Sequence, residues 1–484
     1  MLFNSTQFLI FLPIVFFLYW TIANKSLKSQ NILLLIASYF FYSCWDWRFL
    51  FLLIFSTFLD YFTGIKMPES RSEGMRKFWF WLSIVVNVGF LGIFKYYNFF
   101  ITSFAVAISH IGLRLNPWTL HVILPVGISF YTFHGLSYVI DIYNGKIKPE
   151  RNFIDYSLFV SFFPLLVAGP IERATHLLPQ IQKKRVFNYA QAIDSIKQML
   201  WGMFKKVVIA DTCAGYVNQI FANSSTYSGS VHVLGGIFFA FQIYCDFSGY
   251  SDIALGVAGL FGIKLLRNFS YPYFSRNIAE FWRRWHISLS SWFRDYLYIP
   301  LGGSRGGAWM KVRNILIIFL VSGFWHGANW TFIVWGLLNA LFIMPSVLMN
   351  TNRTNLDIVA QGKSLPSVKE TFFMILTFGL TVFAWIIFRA ENMHVAIQYI
   401  SKIFSPSLFK IPYFQGIGNS YSICILTLLF ILIEWFGREK EYAIKNFGFN
   451  WPRPYRWTFY YALLLVIYHF SLRGTNSQFI YFQF

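Results

Sequence analysis

The sequence predicts an all-α polytopic membrane protein, and three observations carry that prediction. Fifty-six per cent of the 484 residues are hydrophobic, only 12% are charged, and the mean hydropathy is +0.50, a balance outside that of soluble domains. Apolar runs of about twenty residues recur along the chain, each long enough for a hydrocarbon layer of roughly 30 Å. Fifty-eight Phe and 18 Trp supply the aromatic surplus expected of helices anchored at membrane interfaces and packed together. The formal charge of +20 does not point to nucleic acid, because in such a chain basic residues gather in cytoplasmic loops and near anionic lipid. Cys44, Cys213, Cys245 and Cys424 lie scattered, with no CxxC pair, and suggest neither a zinc site nor a disulfide framework.

Taken in order, the first spans are expected at 7–23, 31–47, 49–65 and 78–94. No Lys or Arg precedes the first run, so it reads as a retained span rather than a removed signal peptide. Lys25 and Lys28 follow the first run, and Lys66, Arg71, Arg76 and Lys77 the third. The positive-inside rule makes that side cytoplasmic. Runs near 96–112, 120–140 and 153–169 are interrupted by Pro125, Gly127, Pro164 and Gly169. Breaks in hydrocarbon are tolerated where protein or water satisfies the freed backbone, so these segments should be interior-facing or re-entrant. His134 and Asp141 stand two helical turns apart, as an interhelical polar contact or a shared site. Glu172 and Arg173 pair locally on this reading.

From Ile181 to Lys206 the chain is basic (Lys183, Lys184, Arg185, Lys197, Lys205, Lys206) and reads as a cytoplasmic surface helix or positive-inside loop. The run 230–248 ends in a polar stretch containing Asp246 and Asp252. A carboxylate at membrane depth costs roughly 2.5–3.5 kcal/mol on insertion scales. The two should therefore line a polar interior or pair with the Arg cluster downstream, unless they do acid–base work. The stretch 349–367 reads as an ordinary soluble linker, and spans near 369–389, 419–437 and 456–472 finish the chain. About eleven spans are expected in all, in a single domain over 1–484.

The segment from Asn277 to Trp330 is the one that scaffold alone does not explain. Read as one helix over 278–298, it lines up Phe281, Trp285, Leu289 and Trp292 as an apolar stripe, with Arg283, Arg284 and Arg294 mostly off it. An amphipathic interfacial anchor accounts for that pattern, but not for His286 and Asp295. Nor does it account for the Gly-rich stop at 300–307, which frees backbone for a tight turn. Arginines beside exposed N–H groups suit an anionic donor such as a phosphorylated pantetheine carrier. The following apolar run carries His326, 13 residues beyond Arg313, about 20 Å along a helix. An ionisable residue at that depth is a candidate functional site. A neutral imidazole can take the proton of an acceptor hydroxyl as the oxygen attacks a thioester, although a lone histidine in an apolar helix is also a common structural residue. Gly323 and Gly327 flank it and would open room for substrate. Asn329 is placed to orient the ring or support an oxyanion, and Trp325 to contact substrate.

The run FWRRWHISLSSWFRDYLYIPLGG (281–303) followed by SGFWHGANWTFIVWG (322–336) resembles the membrane-bound O-acyltransferase family. The likeness is greatest to its bacterial branch of alginate and peptidoglycan O-acetylation membrane subunits, which also includes the D-alanyl transfer protein of teichoic acids. The opening MLFNSTQFLIFLPIVFFLYW, the tracts LPVGISFYTFHGLSYVIDIY (124–143), FPLLVAGPIERA (163–174) and FAWIIFRAENM (383–393), and the closing FIYFQF extend it over almost the whole chain. The resemblance implies a ring of helices around a central funnel, with short re-entrant or interfacial helices. It places the family's catalytic histidine on His326 and its second histidine on His286. It further implies a cytoplasmic thioester donor (acetyl-CoA or an acyl carrier) with no permanently bound cofactor or metal.

The expected function is therefore acyl transfer, most plausibly of acetyl, in the bacterial cytoplasmic (inner) membrane. The acceptor would be a cell-surface or exported polysaccharide, reached through a periplasmic or extracellular partner of acetyltransferase or esterase type, with membrane lipids around the chain. The alternatives are D-alanyl transfer from a carrier protein, a transporter or flippase with His326 as proton relay, and a non-catalytic membrane scaffold. P-loop, HExxH and GxSxG patterns are missing.

Overall fold

Eight helices of the computed structural model, which describes residues 1–112, 116, 118–120, 124–473 and 479–480, are long and apolar enough to cross a membrane. They are Thr6–Lys25, Trp47–Glu69, Glu73–Ser109, Gly229–Leu260, Ala308–His326, Trp330–Leu348, Val368–Arg389 and Ser420–Gly437. The regular structure of the described residues is entirely helical. The chain is a polytopic membrane protein, and its lipid-facing character shows in large exposed side chains such as Phe17, Phe51, Val85, Ile375 and Leu465.

Several of the expected apolar runs merge or break, while those at 31–47 and 456–472 form the helices Leu27–Ser43 and Arg453–Arg473. The runs at 78–94 and 96–112 join through a π-helical turn at Gly92–Tyr96 into one long element. The run at 120–140 becomes helical only from Ile128, after Gly127 takes a left-handed conformation (φ 74°). There a side chain would collide with the Leu166 carbonyl, which is why glycine is required. The run at 153–169 splits at Phe162 into Phe153–Ser161 and Phe163–Ala168. Part of the 120–140 run, and the last four residues of FIYFQF, lie outside the described residues.

Packing divides the chain into two compact units: Met1–Ala192 with Val257–Leu266, and Ile193–Gly256 with Arg267–Phe484. In the first, buried polar groups are knitted together within the helices. Asp60 accepts from the Ser83 hydroxyl and from Asn87 at 2.8 Å. Arg185, expected at a surface, is 5% exposed and donates to Tyr19 and Asn31 at 2.8 and 2.6 Å. His134 is buried and accepts from the Glu172 amide at 3.0 Å, while Asp141 meets Lys146 rather than a site. Glu172 pairs with His176 at 2.8 Å and accepts from the Leu266 amide at 2.6 Å.

The second unit holds the signature segment and an ionic core. Lys205 and Lys206 are 3% and 0% exposed, on a π-helical stretch Phe204–Ala210. Lys205 meets Asp252 at 2.6 Å; Lys206 meets Asp246 at 2.7 Å and Asp211 at 2.8 Å. The lysines are therefore not part of a surface helix, and of the two expectations for the carboxylates the polar interior holds, with lysines rather than downstream arginines as partners. Charges removed from water need partners close at hand, and the π-helical widening turns two consecutive lysines inward toward them.

Candidate active site

The Ala308–His326 and Trp330–Leu348 helices pack as a hairpin whose backbones touch. A side chain on Gly323 would lie 2.3 Å from the Phe332 carbonyl oxygen, and one on Gly336 would lie 2.3 Å from that of Phe319. Gly327 is closed off in the same way by the Phe332 ring. Gly323 and Gly327 therefore serve close helix packing, a correction to the expectation that they leave room for substrate. The helix ends at His326, in its last turn, and the chain resumes helical form at Trp330. His326 thus sits at the broken corner of the hairpin and is 4% exposed. Its ring lies among Trp325 at 4.9 Å, Trp335 at 5.0 Å and Phe388 at 5.2 Å between centroids. The carbonyl end of a helix favours positive charge, so an imidazole that takes a proton there meets a field that stabilises it.

The segment expected as one helix over 278–298 is broken. It forms Ile278–Arg284, then Ile287–Phe293, then a π-helical turn Arg294–Tyr298. The break is His286, held in the left-handed region (φ 42°, ψ 53°), a strained place for a residue with a side chain. What holds it is a two-sided grip from residues 268–270. The Ile287 amide donates to the Asn268 carbonyl at 2.9 Å, the Ser270 amide to the Arg284 carbonyl at 3.0 Å, and the Ser288 hydroxyl to the Asn268 side chain at 2.6 Å. The apolar stripe survives the break: Phe281, Trp285, Leu289 and Trp292 are all buried. His286 is 1% exposed, against Phe247 at 4.7 Å and Trp325 at 6.0 Å. Burial pushes its pKa down to about 3, so the ring is neutral at physiological pH. Trp325 thus has His286 on one side and His326 on the other. The structure brings these three sequence-predicted residues together.

Asn268 also lines a small polar cavity of about 30 Å³, with Lys205, Ser248, Asp252, Tyr244 and Arg267 among its walls. The cavity therefore reaches the turn that holds His286.

Residues 146–383 match the profile of the membrane-bound O-acyltransferase family. Over the full length of both proteins the chain is 36% identical to a probable alginate O-acetylase of Pseudomonas putida. The chain belongs to the membrane-bound O-acyltransferase family. It is also 32% identical to a peptidoglycan O-acetyltransferase of Helicobacter pylori, across 100% of this chain and 98% of the relative. A teichoic acid D-alanyltransferase of Bacillus subtilis is 30% identical over 56% of this chain and 69% of its own.

In this acyltransferase the remaining sequence-predicted residues have partners of their own. Arg283 donates to the Asn352 carbonyl and, at 2.6 Å, to that of Asn355. Arg284 pairs with Glu280 at 2.8 Å and donates to the Asp357 carbonyl at 2.8 Å. Arg276 adds contacts to Glu280, Asp357 and Glu370, and the guanidinium of Arg276 holds the Asp357 carboxyl below the usual carboxylate range. From the far side Arg438 grips the carbonyls of Val359, Ala360 and Lys363. The stretch 349–367 is therefore a clamped strap, not a loose linker, and Arg283 and Arg284 are its clamps. Arg294 pairs with Asp295 at 2.8 Å and keeps 63% of its side chain exposed. Asn329 caps the Trp330–Leu348 helix through the Thr331 amide, and its NH2 donates to the Glu391 carbonyl. The Gly-rich turn is likewise pinned, by Arg313 and Asn314 on the carbonyls of Leu301 and Gly303.

Sequence reasoning missed Arg276, Lys205 and Lys206 as buried ion-pair partners and Trp335 as a neighbour of His326. Only Trp335 carried a signal: it lies nine residues past His326, on the hairpin's second helix.

Proposed function

We propose that this acyltransferase carries an acetyl group from a cytoplasmic thioester to hydroxyl groups of an exported or cell-surface polysaccharide, from the bacterial cytoplasmic membrane and through a periplasmic partner protein. The observation that carries this reading is the placement of His326, buried at the broken hairpin corner beside Trp325 and His286. In the reaction His326 takes the proton of the attacking hydroxyl, the new O–C bond forms, and the thioester C–S bond breaks. The proton then passes to the departing thiolate. His286, neutral and fixed by its turn, borders the approach of the thioester as a hydrogen-bonding partner rather than a charge.

The donor's phosphates fall to Arg294, whose side chain reaches solvent, since Arg283 and Arg284 are held by the strap. Acetyl is favoured over D-alanyl because the O-acetylating relatives match over their whole length and the D-alanyl relative over a smaller share.

The test is donor choice in proteoliposomes with the protein inserted. Labelled acetyl-CoA, an acetylated carrier protein and a D-alanylated carrier protein are supplied in turn to the cytoplasmic face. Release of free thiol with either acetyl donor, and not with the D-alanyl carrier, is expected. Turnover confined to the D-alanyl carrier would overturn the acetyl reading.

A further inference from the structure

Two polar side chains on the Trp330–Leu348 helix are buried in a way that no part of the mechanism above uses. Thr331 is 0% exposed and Trp335 1%. Among the described residues neither Thr331 Oγ1 nor Trp335 Nε1 has a hydrogen-bond partner. They stand four residues apart, so they share one face of the helix one turn from each other. Trp335 packs directly on His326, its ring perpendicular to the imidazole at 89° and 5.0 Å. Trp282, whose Nε1 is likewise without a described partner, lies against Trp335 at 5.7 Å, one ring further out.

Buried donors are almost always paired in native proteins, and each exception calls for an explanation. Packing explains the Trp335 ring, which stacks on Trp385 at 5.6 Å and 18°, but not the stranded N–H. Isosteric valine would fill the Thr331 position without stranding a hydroxyl. The sequence keeps the polar version at both, and Trp335 touches the residue that would take the proton.

The helix break adds direction to this. His326 occupies the carbonyl end of one helix, and Thr331 lies in the first turn of the next, at its amide end. The first end favours the imidazolium that forms; the second favours negative charge. We propose that Thr331 Oγ–H and Trp335 Nε1–H are the donors that receive the thioester carbonyl oxygen of the acyl donor as it becomes an oxyanion, opposite His326. This rests on the acyl-transfer reading above. Asn329, the sequence-based candidate for this task, has its amide committed to the helix cap and to Glu391.

The experiment uses the full-length protein in proteoliposomes with labelled acetyl-CoA. Trp335→Phe keeps the ring and removes the N–H; Thr331→Val keeps the shape and removes the O–H; Thr331→Ser restores a hydroxyl. Loss of one oxyanion donor typically lowers kcat by about 100-fold or more. Each of Trp335→Phe and Thr331→Val is expected to show a fall of that order with KM little changed, and Thr331→Ser to recover most of it. A second readout is spectroscopic. The carbonyl stretch of ¹³C-acetyl-CoA bound to a His326→Gln protein should lie below its value in water, and should move back toward that value when Trp335→Phe is added. Variants that melt like the wild type, transfer acetyl at the wild-type rate and leave the carbonyl stretch unmoved would overturn the donor pair while leaving acyl transfer intact. A wild type that transfers no label and leaves the carbonyl at its value in water would overturn both.

Discussion

The two halves of the signature segment look alike in sequence, each dense in aromatics with one histidine, yet they are built for different ends. In 278–307 the charged groups of the first helix face structure: Arg283, Arg284 and their neighbour Arg276 fasten the strap 349–367 through Glu280, Asp357 and backbone carbonyls. In 308–336 the only ionisable side chain past Arg313 is His326, in a wall of rings that includes Trp325, Trp335 and Phe388. The contrast teaches that in a membrane enzyme an arginine cluster beside a histidine need not be a substrate site. Guanidinium groups suit carbonyl-rich straps as well as phosphates, because both present fixed acceptors.

The strongest blow to the structural half is Glu280→Gln. Glu280 is 1% exposed and holds both Arg276 and Arg284. Breaking a buried charge pair costs about 3–5 kcal/mol, so thermal unfolding in detergent should shift down sharply. Turnover per folded molecule should hold; a stable variant that has lost only activity would place this cluster in the chemistry instead. Next comes Arg283→Ala, which removes two charge-assisted bonds and should cost about 1.5–3 kcal/mol. Hydrogen exchange across 349–367 should rise with no change in donor KM, whereas a raised KM would return Arg283 to the donor site.

A smaller effect comes from His286. Its folded pKa is near 3, below the value of about 6.5 for a free histidine. The unfolded chain therefore binds this proton first, and stability falls as pH drops from about 6.5 toward 3. His286→Gln should flatten that part of the stability curve, measured by thermal unfolding across the range. An unchanged curve would contradict the burial argument. The smallest effect is expected at Arg294. Its exposed pair with Asp295 is worth about 1 kcal/mol or less, so Arg294→Gln should leave stability alone. Donor KM should rise a few-fold at low salt, an effect that added salt removes.

The membrane class and the signature segment were legible in the sequence because they depend on composition and local motifs; that His286 lies beside Trp325 and His326 was not, because forty residues and a break in the chain separate the two histidines. Helix boundaries were not, because hydropathy does not reveal that Gly92–Tyr96 continues a helix or that Phe162 breaks one. Lys205 and Lys206 read as cytoplasmic charge because nothing local marks the π-helical widening that turns them toward Asp211, Asp246 and Asp252. The arginines were misread for the same reason: their partners lie about 70 residues away in the strap. The break at His286 was hidden because an unbroken apolar stripe runs through it, and a helix is the simplest way to make such a stripe.

The most direct measurement sets the two halves side by side. Acetyl transfer per folded molecule is recorded in proteoliposomes for wild type, His326→Gln and Arg283→Ala at saturating acetyl-CoA. Loss of a general base typically costs about 10²–10⁴-fold, so His326→Gln should fall by that much while Arg283→Ala stays near the wild-type rate. A folded His326→Gln protein with undiminished transfer, or an Arg283→Ala protein that falls as far, would contradict the account.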